Sequence, residues 1–188
     1  MVEAYVDVQE PELSDVLNDI GPAVVVPVLL SSGYHVHVDI SGAVAAAGRQ
    51  VCKSPALGPD TVLTDVLAER LDEASVSTDH AIVLAAAGSS DHRAVTDIEQ
   101  TTSQLTQRLA RPVVTAYASA AEPRVAQAVE QLRSQGRPVA IASYLLAPGF
   151  FFDQLAAAGA DVVTAPLLPH PAIAELVLCR YDEAVRGG

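Results

Sequence analysis

Two stretches of this chain repeat each other in order and spacing, and that repeat limits the fold more than any other feature. Ala4-Tyr5 followed by Glu10-Pro11 recurs as Ala116-Tyr117 followed by Glu122-Pro123. Leu29-Leu30, two residues, Gly33 and Tyr34 recur as Leu145-Leu146, two residues, Gly149 and Phe150. Pro55-x-Leu57 recurs as Pro166-x-Leu168. Three landmarks in one order mark two copies of one supersecondary unit. The boundary falls near Ser75–Asp79, so the expected units are residues 1–75 and 76–188.

Short apolar runs alternate with amphipathic stretches throughout. Ala4–Val8, Ala23–Leu30, Val51–Ser54, Ala81–Ala87, Val113–Ala118, Val139–Leu146 and Asp161–Ala165 read as buried strands. Between them, Glu12–Asp19, Asp39–Ala47, Thr61–Ala74, His92–Leu109, Pro123–Gln135, Phe151–Ala158 and Pro171–Val185 carry helical spacing, as in Leu63, Val66, Leu67 and Leu71. Strict alternation predicts an α/β fold with parallel sheets, helices on both faces and right-handed crossovers. The copies differ at their starts. Ala81 to Thr115 precede the second Ala-Tyr landmark, whereas three residues precede the first. The difference is one strand and one helix, so three strands are expected in the first unit and four in the second. A parallel sheet without an internal strand leaves two rows of backbone groups unpaired. The expectation is therefore that Met1 is not the natural start or that another chain fills the gap; a naturally smaller first unit is the alternative.

Charge narrows the partners. The formal net charge is −12, spread along the chain, which argues against nucleic acid or an anionic membrane as a partner, since both need a basic face. No apolar run approaches the roughly 18 residues that span a bilayer. The opening residues are acidic, unlike a signal peptide. Cys52 and Cys179 form no Cys-x-x-Cys pair and read as reduced, buried residues of a cytoplasmic protein. An anionic ligand would need local cations, for which Arg93, Arg124, Lys53, His37 and helix N-termini are the candidates.

The chemistry-bearing segment is Pro27 to Ile40, where a buried strand ends in small residues and delivers His35, His37 and Asp39 into a helix start. Open α/β sheets bind ligands beyond the carboxyl ends of their strands. A histidine there holds a transition metal or accepts a proton; surface placement and helix capping are the alternatives. On a strand His35 and His37 would share a face, and on a helix they would not. Asp39 would orient an imidazole or cap the helix. In the second copy Phe151 stands where His35 stands, and a phenyl ring neither ligates nor titrates. Either the copies have diverged into active and supporting halves, or His35 is incidental. His80 and His92 read as surface residues, and His170 as part of a helix start.

Leu29–Ile40 resembles the Gly-x-His-x-x-x-Asp-Ile segment of the sirohydrochlorin chelatases, the class II chelatases of sirohaem and cobalamin synthesis. Val6-Asp-Val-Gln-Glu-Pro11 is similar to their Gln-Glu-Pro segment, and Pro55-Ala-Leu-Gly58 to their next strand and loop. The resemblance covers nearly the whole chain, the second copy resembling the carboxy-terminal half of two-repeat, actinobacterial-looking members. It implies two flavodoxin-like parallel βα units facing each other across a cleft. The implied activity is insertion of a divalent metal, Co²⁺ or Fe²⁺, into sirohydrochlorin, a lyase reaction with the metal as substrate and no organic cofactor. It places the family histidine on His35, as metal ligand and catalytic base, and an acidic metal ligand on Asp7. Substrate contacts are expected from Gly33, Tyr34, His37, Tyr144, Phe150 and Phe151, with Phe152 extending the apolar floor. The family's other histidine lies in a strand with no counterpart before Ala4; its position in the second copy is Ala87. The alternative reading is a non-catalytic protein of this fold that binds tetrapyrrole or metal. A homodimer is one assembly compatible with the sequence.

Overall fold

The computed structural model describes residues 1–7, 9–48 and 50–187. Its main sheet comes from the second copy. β3 (Ala81–Ala86), β4 (Val113–Tyr117), β5 (Val139–Tyr144) and β6 (Val162–Val163) lie in the order β4-β3-β5-β6, with every pair parallel. All residues of β3 and β5 are buried, the pattern of a parallel sheet covered on both faces. Val83, Ala85, Val139 and Ile141 meet α5 (Val125–Ser134) and α6 (Phe150–Ala156) in one layer. Ile82, Leu84, Ala140 and Ala142 face the other, which is closed by α4 (His92–Leu109), α7 (Pro171–Gly187) and α3 (Thr61–Glu73). Because α3 belongs to the first copy, the larger hydrophobic core is shared between the copies.

The first copy is thinner. β1 (Ala23–Val25) and β2 (Val51–Lys53) form a two-stranded parallel sheet, with α1 (Leu13–Asp19) packed on α2 (Ser41–Ala47) beside it. The third strand expected over Ala4–Val8 does not form among the described residues, and Val8 lies outside them. Tyr5 makes only a one-residue bridge to Glu12. The second copy shows why: its equivalent, Tyr117, pairs with Ala86 of β3, and the described part of the first copy has nothing in the place of β3. Without a neighbour, an apolar run has no ladder to join. The chain between β1 and Tyr34 is irregular.

The repeat is visible in hydrogen bonds. Tyr5 and Tyr117 each donate their amide to a proline carbonyl, Pro11 and Pro123, at 2.9 Å. Leu57 donates to Leu29 O at 2.9 Å and Leu167 to Leu145 O at 2.8 Å. Leu57 and Leu167, both fully buried, are therefore equivalent, 110 residues apart. That shifts the third sequence landmark by one residue, since Pro55 and Pro166 are 111 apart. In the corrected register Arg70 matches Arg180, and each clasps the other copy. Arg70 donates to the carbonyls of Pro166, Leu167 and Pro169 at 3.1, 3.3 and 2.9 Å. Arg180 donates to Ala56 O and Leu57 O, both at 3.1 Å, and to the Asp60 carboxylate at 2.7 Å. His170, equivalent to Asp60, accepts the Ala172 amide at 3.2 Å just as Asp60 accepts that of Val62 at 2.9 Å. It starts α7, as the sequence suggests. Among the described residues no helix is long and apolar enough to cross a membrane. Both cysteines are free, but Cys179 is exposed rather than buried, and Cys52 is half-buried.

Candidate functional site

A cavity of about 620 Å³ opens at the carboxyl ends of β3, β4 and β5. Its floor is built from the second copy: Ala86–Ser90 after β3, Tyr117 at the end of β4, and Tyr144 to Leu146 at the end of β5. Its opposite wall is the first copy's segment Leu29–Val36, which includes Gly33, Tyr34 and His35. This is the placement expected of a ligand site in an open parallel sheet.

Local sequence explains how His35 comes to be there. Gly33 packs so closely on α4 that an added Cβ would sit 3.1 Å from the Ala94 Cβ. The Gly33 carbonyl then accepts the amides of Val36 and His37 at 3.1 and 3.2 Å. These bonds open a π-helical turn, His35–Ile40, that runs into α2. The helix thus begins four residues before the expected Asp39. Val36 and Ile40 face inward, and Ser41 donates to Val36 O at 2.8 Å. Such wide turns are frequent at functional sites.

Helical geometry separates the two histidines. His35 lines the cavity; His37 is exposed and does not. It pairs His35 with Asp39 instead: Nδ1 lies 2.7 Å from Asp39 Oδ2, one turn on. That bond fixes the imidazole and leaves Nε2 for a ligand or a proton, the arrangement usual for metal-binding histidines. The Tyr34 ring meets the His35 ring edge-on, with centroids 6.1 Å apart.

Asp7 is exposed on a bend and does not line the cavity that His35 lines. Among the described residues no three His, Cys, Asp or Glu side chains converge as a metal cage. Phe151 lines the cavity, Phe150 stands outside it with its ring 5.5 Å from that of Phe151, and Phe152 turns into the core on the far side of the sheet. Tyr144 borders the cavity but is buried, and its hydroxyl donates to Leu30 O at 3.0 Å. Burial pushes its phenol pKa up, so it stays a donor at neutral pH.

The basic residues expected to balance an anionic ligand are engaged elsewhere. Arg93 grips Asp91 through both carboxylate oxygens and, with its own amide donating too, holds that carboxyl down at about 2. Arg124 bonds Glu122 and Ala118 O at 3.2 and 3.1 Å, and Lys53 reaches Val36 O at 3.4 Å. The sequence reading missed Asp97, which reaches from α4 to Ser32, set between the cavity-lining residues Ser31 and Gly33. Sixty-five residues separate the two, and no local motif links them.

The CbiX family profile matches residues 1–74 and 81–184. No curated protein matches the sequence. The similar solved structures include SirB and CbiX chelatases. SirB from Bacillus subtilis with Fe³⁺ is 19% identical at a TM-score of 0.83, over 98% of this chain and 82% of that one. The sirohydrochlorin chelatase SirB from Bacillus subtilis subspecies spizizenii in complex with cobalt is 17% identical at 0.73, over 98% and 80%. CbiX, the terminal enzyme for biosynthesis of siroheme in denitrifying bacteria, is 15% identical at 0.67, over 89% and 78%. At these identities the structures establish the α/β chelatase-like fold.

Proposed function

From the premise that this chain belongs to the CbiX family, we propose that it inserts a divalent metal into a tetrapyrrole of the sirohydrochlorin class. The observation that carries the reading is the His35–Asp39 pair on the wall of a cavity of about 620 Å³, facing largely apolar strand ends. That volume is in the range of organic-ligand sites. Tyr34 and Phe151 line it with aromatic surface suited to a flat macrocycle, and Phe150 extends that surface outside the rim.

The macrocycle loses two pyrrolic N–H protons as the dication enters. His35, held through Nδ1, offers Nε2 to the incoming metal or to a leaving proton. The metal, Co²⁺ or Fe²⁺, is a substrate passing to four pyrrole nitrogens, so a lone imidazole with open coordination positions suits transfer better than a closed cage would. In this reading residues 1–75 carry the reactive group and residues 76–188 supply the floor. Asp7 has no part in the site as described, and His37 contributes at most charge.

One observation favours binding without insertion: no third His, Cys, Asp or Glu side chain joins His35 and Asp39 among the described residues. A single experiment separates the readings. Co²⁺ is added to sirohydrochlorin with the 188-residue chain, and the tetrapyrrole absorbance is followed above the uncatalysed rate. Insertion predicts turnover that His35→Ala removes. Binding alone predicts a stoichiometric spectral shift without turnover.

A further inference from the structure

We propose that Asp97 is a positioning residue for the cavity: from α4 of the second copy it fixes Ser32, and through Ser32 the segment that presents Tyr34 and His35. Ser32 donates both its amide, at 2.7 Å, and its hydroxyl, at 2.5 Å, to the same oxygen, Asp97 Oδ2. Hydrogen bonds to an ionised carboxylate are the short, strong kind. Asp97 is half-buried, and these bonds run to a serine rather than to an arginine or lysine. Partial burial of a polar group is costly unless hydrogen bonds replace the lost water, and Ser32 supplies two of them.

A second anchor makes the purpose readable. Two residues before Ser32, the Leu30 carbonyl accepts the buried Tyr144 phenol. The Gly58 backbone passes so close that a Cβ there would collide with both Leu30 O and the Tyr144 oxygen. One residue after Ser32, Gly33 lies against Ala94 of α4. Leu30, Ser32 and Gly33 are therefore each pinned to the second copy, by a strand-end phenol, a helix carboxylate and a close backbone contact. The next two residues are Tyr34 and His35, both on the cavity wall. The second copy, which carries Phe151 where the first carries His35, thereby holds the histidine of its sister. Reactive groups must be placed within roughly 0.5 Å, and a misplacement of about 1 Å costs on the order of 10²-fold in rate.

The rate arms of the test rest on the insertion reading; a spectroscopic arm does not. In the full chain, Asp97→Ala is expected to lower kcat per folded molecule for Co²⁺ insertion roughly 10–100-fold while KM moves little. Asp97→Asn, which keeps an oxygen acceptor, should recover most of that loss. The double variant Ser32→Ala with Asp97→Ala should be no worse than Asp97→Ala alone, because both act through one contact. Gln100→Ala, exposed on the same helix, should behave as wild type. Independently of turnover, the His35 ring Cε1–H resonance should broaden or shift in Asp97→Ala and return in Asp97→Asn. The proposal is overturned if that resonance is unchanged in Asp97→Ala. It is equally overturned if His35→Ala is inactive while Asp97→Ala keeps wild-type kcat, or if activity falls only in step with the folded fraction. If His35→Ala keeps full rate, the insertion reading fails, and the resonance alone then decides whether Asp97 positions His35.

Discussion

Helices α3 and α7 are the same helix written twice, 110 residues apart, and their matching faces have different fates. On α3, Ala68 and Leu71 are 3% and 2% exposed, because α3 lies in the shared core and packs against α4. Their equivalents on α7, Leu178 and Tyr181, are 63% and 47% exposed. The difference is not one of polarity, since Leu178 and Tyr181 are both large hydrophobic side chains. It lies in the neighbour: α4 follows β3 in the second copy, and the described first copy holds no such strand–helix pair. Equivalent sequence thus fixes the helix and its clasping arginine, while burial depends on what the rest of the repeat supplies.

The same contrast separates the two cavity-facing positions, and there the largest effect is expected. His35→Phe, which makes the first copy match the second, should reduce metal insertion by roughly 10²–10⁴-fold, the scale of a positioned acid–base group. Phe151→Ala should instead raise KM a few-fold and leave kcat near wild type, since it removes aromatic surface and no reactive atom. Steady-state kinetics on the purified chain check both. Equal losses at the two positions would break the division into reactive and supporting copies.

Stability offers the next test. Leu71→Ala empties a site in the shared core and should cost about 2–4 kcal/mol in urea unfolding. Leu178→Ala, on the matching face of α7, should stay within about 0.5 kcal/mol, as exposed substitutions do. A loss at Leu178 as large as that at Leu71 would mean that this face is covered in solution. The clasps should be more even-handed. Arg70 and Arg180 are similarly buried and each bonds carbonyls of the other copy. Arg70→Ala and Arg180→Ala should each cost about 1.5–3 kcal/mol, and a clear inequality would show that one clasp dominates.

How much of this was legible in the sequence differs between the copies for the same reason. In the second copy β3 and α4 bring their neighbours with them, so apolar runs became strands close to where they were read, and α4 spans the expected His92–Leu109. In the first copy Ala4–Val8 has the pattern of a strand, but among the described residues nothing stands in the place of β3, and pattern alone does not make a ladder. The site was legible where its logic is local. His35 was marked by residue type and by the matching Phe151, and Asp39 by its spacing. The early helix start at His35 was not, because the β-branched Val36, Val38 and Ile40 favour a strand in isolation, and the close approach of Gly33 to α4 is a tertiary fact. Asp97 was invisible for the same reason: its partner is 65 residues away.

The smallest expected effect concerns pH, and it falls on α4, which has no counterpart among the described residues of the first copy. Asp91 caps α4, accepting the Arg93 amide at 3.0 Å, and its carboxylate is gripped by the Arg93 guanidinium at 2.7 Å. The Arg93 side chain is the largest cause of the low pKa, its amide bond the next, and together they hold Asp91 at about 2. An ordinary aspartate titrates near 3.9. Since the folded value lies below the unfolded one, the ionised form is favoured by folding. The resulting stabilisation is complete above about pH 4 and is lost as pH falls through the folded value near 2. The Arg93 side chain that grips Asp91 is itself half-exposed, so the effect should be small and weakened by salt. Carboxyl ¹³C shifts followed from about pH 5 to 3 should show Asp91 still ionised where a typical aspartate has passed its midpoint. Arg93→Ala should move the Asp91 midpoint upward. An unchanged midpoint in Arg93→Ala would mean that the helix start alone holds the charge.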